Sequence, residues 1–122
     1  MKRSTVLLAD GHDVLIDGLV YALRRDFEFV AVARDGRTMI EMAKEKRPHV
    51  IVSDISMPNL SGIDAARMLR QDIPSIKILF LTMHRTSPSW RHSGLVLQDL
   101  CTKTCDLSEL VKAIHSIANG SS

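Results

Sequence analysis

Short apolar runs that are typical of buried strands alternate along this chain with amphipathic segments. The runs occupy residues 5–9, Phe27–Ala33, 50–53 and 76–82, and a last apolar patch before Lys103 would supply a fifth strand. Apolar residues recur at helical spacing in 13–25, 38–46, 61–71 and Leu107–Ala118, and Asp35 with Gly36 forms a predicted turn. The alternation predicts an α/β fold with a parallel sheet that helices cover on both faces.

Two of these runs are followed at once by an acid. Asp10 follows the first, and Asp54 follows Val50 to Ser53 and precedes a turn that contains Pro58 and Gly62. In open α/β sheets the carboxyl ends of the strands are where ligands bind. A carboxylate there is a ligand for a cation or a nucleophile toward phosphorus, although a single such Asp could also be a helix cap.

Length and composition indicate one ordinary globular domain over residues 1–122, with 45% hydrophobic and 25% charged residues. The net charge of +2 and the 4% aromatic content give no support for direct nucleic-acid binding. No apolar stretch is long enough to span a bilayer, so no membrane association is expected. Cys101 and Cys105 lack the spacing of a zinc site, and we interpret them as reduced thiols of a cytoplasmic protein.

Four segments together resemble a known signalling domain. They are Val-Leu-Leu-Ala-Asp at 6–10, Asp-Ile-Ser-Met-Pro at 54–58 with Gly62, Leu-Thr-Met-His at 81–84, and Lys103. They are similar to the receiver domain of two-component response regulators, in the subfamily whose output is a helix-turn-helix DNA-binding domain. The resemblance covers nearly the whole chain. It implies a flavodoxin-like, doubly wound, five-stranded parallel sheet.

The resemblance also implies a function and a site. A sensor histidine kinase would transfer a phosphoryl group to Asp54, and the domain would catalyse only its own phosphorylation and dephosphorylation. Asp10, Asp54 and the backbone carbonyl of Ser56 would bind magnesium, the Thr82 hydroxyl would donate to a phosphate oxygen, and Lys103 would pair with the phosphoryl group. DNA would be bound only by an output domain beyond this chain. Receivers of this family often dimerise through their fourth helix, fifth strand and fifth helix.

The residue after Asp10 departs from the family pattern. The family has two adjacent acids there, whereas this chain has Asp10 and Gly11. Losing one carboxylate removes charge and an oxygen ligand, so we expect weakened magnesium binding. Asp13 is expected to cap the first helix rather than to replace the acid. His12 by itself indicates no metal or acid–base role.

The range 85–102 departs further. Pro88 and Gly94 interrupt it, no clean helical period is visible, and Leu100 stands where the family has an aromatic residue. We therefore predict an irregular segment in place of the family's fourth helix, which would uncouple phosphorylation from the output surface. Divergence or a local, later-restored frameshift within 89–101 could explain it, because an alternative reading of suitable codons can spell the residues that the family carries.

Two other functions compete with a phosphorylated switch. A degenerate receiver could act as a phosphorylation-independent interaction module, which Gly11 and the 85–102 segment favour and Asp54, Thr82 and Lys103 oppose. A haloacid-dehalogenase-like phosphatase would need a second Asp two residues after its nucleophile. That position is Ser56, so this alternative is set aside.

Overall fold

A computed structural model describes residues 4–55, 57, 59–82, 99–102 and 107–118. Within them lie five strands and four helices: β1 (Ser4–Ala9), α1 (Asp13–Leu23), β2 (Phe27–Ala33), α2 (Gly36–Lys46), β3 (Val50–Asp54), α3 (Gly62–Asp72), β4 (Ile78–Thr82), β5 (Asp99–Thr102) and α4 (Leu107–Ala118). Among the described helices, none combines the length and apolar character needed to cross a membrane.

The strands form one parallel sheet in the order β2-β1-β3-β4-β5. This is the order of flavodoxin-like doubly wound folds, so the predicted fold class is confirmed. From β1 the chain continues to β2 on one side of the sheet and then returns to β3 on the other side. Strands β1 and β3 are therefore neighbours, and Ala9 lies opposite Ser53. The residues that follow these two strands therefore emerge side by side at the carboxyl edge of the sheet.

Each face of the sheet carries its own core, because successive strand residues point to opposite faces. On one face Leu7, Ile51 and Phe80 pack with residues of α2 and α3. On the other face Leu8, Val52 and Leu79 pack with residues of α1 and α4. Both faces are thus buried, which explains why the strands are nearly continuous apolar runs.

Several element ends differ from the sequence-based prediction. The predicted turn at Asp35 and Gly36 is wrong: Asp35 is the N-cap of α2, and its carboxylate accepts a hydrogen bond from the Thr38 amide. An Asp at this position satisfies an amide that has no partner within the helix, which is why the helix starts earlier than its apolar residues indicate. Helix α1 ends at Leu23, two residues before the predicted end, and β4 begins at Ile78.

The predicted fifth strand is present as Asp99–Thr102, and it pairs with β4 from Leu79–Asp99 to Thr82–Thr102. These four residues belong to the range for which irregular structure was predicted. The rest of that range, and Lys103, lie outside the described residues, so the prediction of an irregular 85–98 segment stays a prediction.

Candidate functional site

Asp10 and Asp54 lie next to each other at the carboxyl edge of the sheet. The Asp10 amide donates to the carbonyl of Ala33 at 2.9 Å, which continues the pairing of β1 with β2 by one residue. Asp54 is the last residue of β3. Asp10 is completely buried, whereas 8% of Asp54 is exposed. Asp54 is therefore the carboxylate with more access to solvent.

The His12 side chain lies against both acids. Its backbone amide donates to Asp10 Oδ1 at 2.9 Å, and its ring Nδ1 is 2.7 Å from the same oxygen. The same Nδ1 is 3.8 Å from Asp54 Oδ2. The ring is 63% exposed on its outer side. His12 is also the N-cap residue of α1, but its side chain makes no capping hydrogen bond. The imidazole contacts the acids and not the helix backbone.

These three residues form a group that suits a cation. One ligand atom from each of Asp10, His12 and Asp54 lies within 4.8 Å of the others. Two charged carboxylates this close together repel each other, and a cation between them would offset the repulsion. The residues therefore fit a divalent metal ion. His12 could not be assigned to this group from the sequence, because an Asp–x–His spacing alone does not show where the ring points.

The loop from β3 to α3, which follows Asp54, packs tightly against its neighbours. The Gly62 amide donates to the Ile55 carbonyl at 2.8 Å. A Cβ atom on Gly62 would overlap the Asp54 carbonyl oxygen, and one on Gly36 would overlap the Leu60 carbonyl oxygen. Glycine at both positions lets α2 and α3 approach this loop closely, which fixes the backbone beside the Asp54 carboxylate.

A side-chain contact anchors the same loop to α2. Asn59 has a left-handed backbone with φ of 68°, and its Nδ2 donates to Asp35 Oδ2 at 3.2 Å. The hydrogen bonds from the Thr38 amide and hydroxyl, with a smaller contribution from Asn59, lower the pKa of Asp35. Asp35 thus joins the start of α2 to the loop that carries Asn59.

The remaining predicted site residues are only partly located. Thr82 ends β4, where its backbone pairs with Thr102 at the same edge of the sheet as Asp54. The Thr82 side chain, Ser56 and Lys103 lie outside the described part of the chain, so their predicted roles stay predictions.

A model of the response regulator receiver domain family matches residues 6–115. The chain belongs to this family. Among curated relatives, MctR of Rhizobium johnstonii, a transcriptional regulatory protein, is 36% identical over 94% of this chain and 55% of its own length. DegU of Brevibacillus brevis, also a transcriptional regulatory protein, is 30% identical over 98% of this chain and 52% of its own. The receiver domain described here thus spans about half the length of these relatives.

Solved structures agree with this assignment. A two-component response regulator of the LuxR family from Aurantimonas matches with a TM-score of 0.85 and 29% identity, over 98% of this chain and 87% of that one. A signal receiver domain from Mycobacterium tuberculosis matches with a TM-score of 0.89 and 26% identity, over 98% of this chain and 99% of that one. The likeness to receiver domains therefore covers nearly the whole chain.

In this receiver domain Asp13 does not have the expected role. It is the first residue of α1 rather than its N-cap, and its Oδ1 accepts a hydrogen bond from Arg34 Nε at 2.6 Å. The hydrogen bond that Arg34 donates to the Asp13 carboxylate raises the pKa of the Arg34 guanidinium. The predicted cap is wrong because the backbone places His12 at the capping position. Asp13 is engaged by Arg34 instead.

Proposed function

We propose that this receiver domain accepts a phosphoryl group on Asp54 from a sensor histidine kinase, and that this step switches a transcriptional output. The observation that carries the proposal is the position of Asp54, which ends a central parallel strand beside the buried Asp10. Both curated relatives above are transcriptional regulatory proteins, which supports the proposed output. The DNA contact itself belongs to residues outside this chain.

The difference in exposure assigns the two carboxylates different roles. Asp54 retains some exposure, whereas Asp10 has none. An oxygen of Asp54 attacks the phosphorus of a phosphohistidine; a phosphorus–oxygen bond forms, the phosphorus–nitrogen bond breaks, and the imidazole leaves with the electron pair. Asp10 is completely buried and cannot contact a donor protein. Its proposed role is to supply a carboxylate to the cation site beside Asp54.

Asp10, Asp54 and the backbone carbonyl of Ser56 are the proposed ligands of magnesium, which would neutralise charge on the phosphoryl oxygens when bound. The Thr82 hydroxyl is proposed to donate to a phosphoryl oxygen, and the Lys103 ammonium to pair with another. Thr82 and Asp54 end neighbouring strands, which is consistent with these roles. A cytoplasmic location and a homodimer through the family's fourth helix, fifth strand and fifth helix stay predictions.

Intact mass spectrometry tests the assignment. The protein is incubated with magnesium and a small phosphodonor such as acetyl phosphate, and the mass gain of one phosphoryl group is followed over time. We expect the gain in the unaltered protein and in the control Asp26→Asn, because Asp26 is exposed and lies in the turn after α1. Asp54→Asn should show no gain, and Asp10→Asn a slower one. Phosphorylation of the Asp54→Asn variant would refute the assignment of Asp54 as the phosphoacceptor.

The alternative of a phosphorylation-independent interaction module is not favoured. Both carboxylates stand together at the sheet edge, and the loop after Asp54 is held by close glycine contacts. A domain that only bound partners would need neither feature. The same mass measurement separates the two functions, since the interaction module would gain no phosphoryl group under any of these conditions.

A further inference from the structure

Position 11, where the resemblance implies a second acid, is glycine, and the neighbouring His12 lies against the two remaining acids. Gly11 offers no side-chain ligand, and the next residue directs its ring nitrogen toward both carboxylates of the site. Among the described residues, the three that could hold a metal ion together are Asp10, His12 and Asp54. One of the three therefore supplies nitrogen instead of oxygen.

The distances fit ligands of one ion. For metal–ligand bonds of about 2.1 Å, neighbouring ligand atoms of an octahedral ion are about 3 Å apart and opposite ones about 4.2 Å. His12 Nδ1 lies 2.7 Å from Asp10 Oδ1 and 3.8 Å from Asp54 Oδ2. All three ligand atoms lie within 4.8 Å of one another, so small side-chain adjustments bring them into contact with one ion. The ring is 63% exposed and has space on its outer side for such an adjustment.

The identity of the ligand atoms decides which metal is preferred. Magnesium prefers oxygen ligands and keeps several waters, whereas imidazole suits later first-row transition metals such as cobalt, nickel and zinc. A site with one carboxylate fewer and an imidazole within reach of the ion becomes weaker for magnesium and stronger for these metals. We infer that His12 Nδ1 is a direct metal ligand and shifts the selectivity of the site from magnesium toward late first-row divalent ions.

This inference rests on the cation site of the proposed function and concerns which ion that site selects. Magnesium and cobalt binding are measured by isothermal titration calorimetry on the unaltered protein and on His12→Phe, which keeps an aromatic ring but removes both nitrogens. Loss of groups that only support a ligand weakens metal affinity by about 10–100-fold. We therefore expect cobalt affinity to fall by at least about tenfold in His12→Phe, while magnesium affinity is unchanged or rises.

Two controls separate this site from other cobalt sites on the chain. His115→Phe makes the same substitution at an exposed histidine of α4, whose ring lies 4.7 Å from the Phe27 ring, and it should leave cobalt affinity unchanged. Asp10→Asn should weaken both metals, so cobalt binding that persists in it belongs elsewhere, for example to the cysteines. Equal cobalt affinity in His12→Phe and the unaltered protein would overturn the inference.

A second measurement uses the unaltered protein and therefore does not depend on whether a His12 variant folds. Pulsed electron paramagnetic resonance of manganese bound to the unaltered protein should show coupling to a directly bound nitrogen, which an all-oxygen site would lack. Manganese bound without any nitrogen coupling would overturn the inference. Failure here is distinct from failure of the proposed function: phosphorylation of Asp54 with an all-oxygen metal site refutes only the histidine ligand. Nitrogen coupling without any phosphorylation refutes only the phosphoacceptor.

Discussion

The side chains at the carboxyl edge of the sheet show how single residues adjust a shared site. Asp10 and Asp54 supply two carboxylates, and Gly11 supplies none where the family has an acid. The protein therefore has one negative charge fewer for holding a hard cation. His12 lies close to both acids, and in the proposed cation site it would supply a nitrogen ligand.

Restoring the acid at position 11 tests the charge deficit. Gly11→Asp should tighten magnesium binding and speed phosphorylation, because it returns an oxygen ligand to an exposed position beside Asp10. Magnesium titration by calorimetry and the rate of mass gain with acetyl phosphate are the measurements.

A matched control for Gly11→Asp is Gly18→Asp, which adds the same charge at an exposed position of α1 where no atom lies within 4 Å of the added Cβ. Its magnesium affinity should equal that of the unaltered protein. If Gly11→Asp binds magnesium no more tightly than the unaltered protein, another group already replaces the missing acid.

Among the elements, the connection from β3 to α3 is the one that fixes the Asp54 backbone. A methyl group on Gly62 would overlap the Asp54 carbonyl oxygen, and its other near neighbour is Ser53 Oγ. Ser53 is buried and donates to that same carbonyl at 2.8 Å, so neither atom can move away easily.

Gly62→Ala should therefore destabilise the fold by about 1–3 kcal/mol, the usual cost of inserting volume into a packed site. Urea denaturation gives the free energy of unfolding, and the phosphorylation rate should fall as well because the overlap displaces Asp54. Gly18→Ala is the control: a helix interior with open space around it should gain about 0.5–1 kcal/mol. Equal effects of the two substitutions would contradict the steric argument.

The stability that Asp35 contributes at the start of α2 depends on pH. The folded-state pKa of Asp35 is lowered from its ordinary value of 3.8, chiefly by the hydrogen bond from the Thr38 amide. The stabilisation is therefore present above that ordinary value and is lost as the pH falls through the lower, folded-state pKa.

Asp35→Asn keeps an oxygen for the Thr38 amide but cannot ionise. The melting temperature of the unaltered protein should fall more steeply than that of the variant as the pH is lowered from roughly 4 to roughly 2, because only the unaltered protein has this carboxylate to protonate. Circular dichroism melts across this range give the comparison. If the melting temperatures of the two proteins fall in parallel with pH, the charge of Asp35 contributes nothing to stability.

For the whole molecule, stability depends on helices covering both faces of the sheet. Ile114 of α4 is completely buried against the face that also carries Leu8 and Val52, whereas Met68 of α3 is 49% exposed. Ile114→Ala should lower the free energy of unfolding by about 2–5 kcal/mol, since it leaves a cavity in a packed core.

Met68→Ala should change the free energy of unfolding by no more than about 0.5 kcal/mol, as is usual for surface positions. Both variants are compared by urea denaturation at neutral pH. A large loss in Met68→Ala together with a small one in Ile114→Ala would place the core on the wrong side of these helices.

Much of this architecture could be predicted from the sequence. Apolar runs alternating with amphipathic segments predict a parallel sheet, and α4 has the predicted bounds. That Asp10 and Asp54 lie at the same edge of the sheet also follows from the sequence, because parallel strands end at one edge. Their adjacency depends on the pairing of β1 with β3, which the structure shows. These features depend on local periodicity and on the few ways in which such elements pack.

The tertiary structure alone decided which partner each polar side chain has. Asp13 pairs with Arg34 across 21 residues of chain, Asp35 holds Asn59 across 24, and His12 faces Asp54 as well as its neighbour Asp10. Local periodicity shows which side of a helix is apolar, but it does not show which distant residue comes within hydrogen-bonding distance. That depends on how loops from separate parts of the chain meet at the carboxyl edge of the sheet, which only the folded arrangement determines.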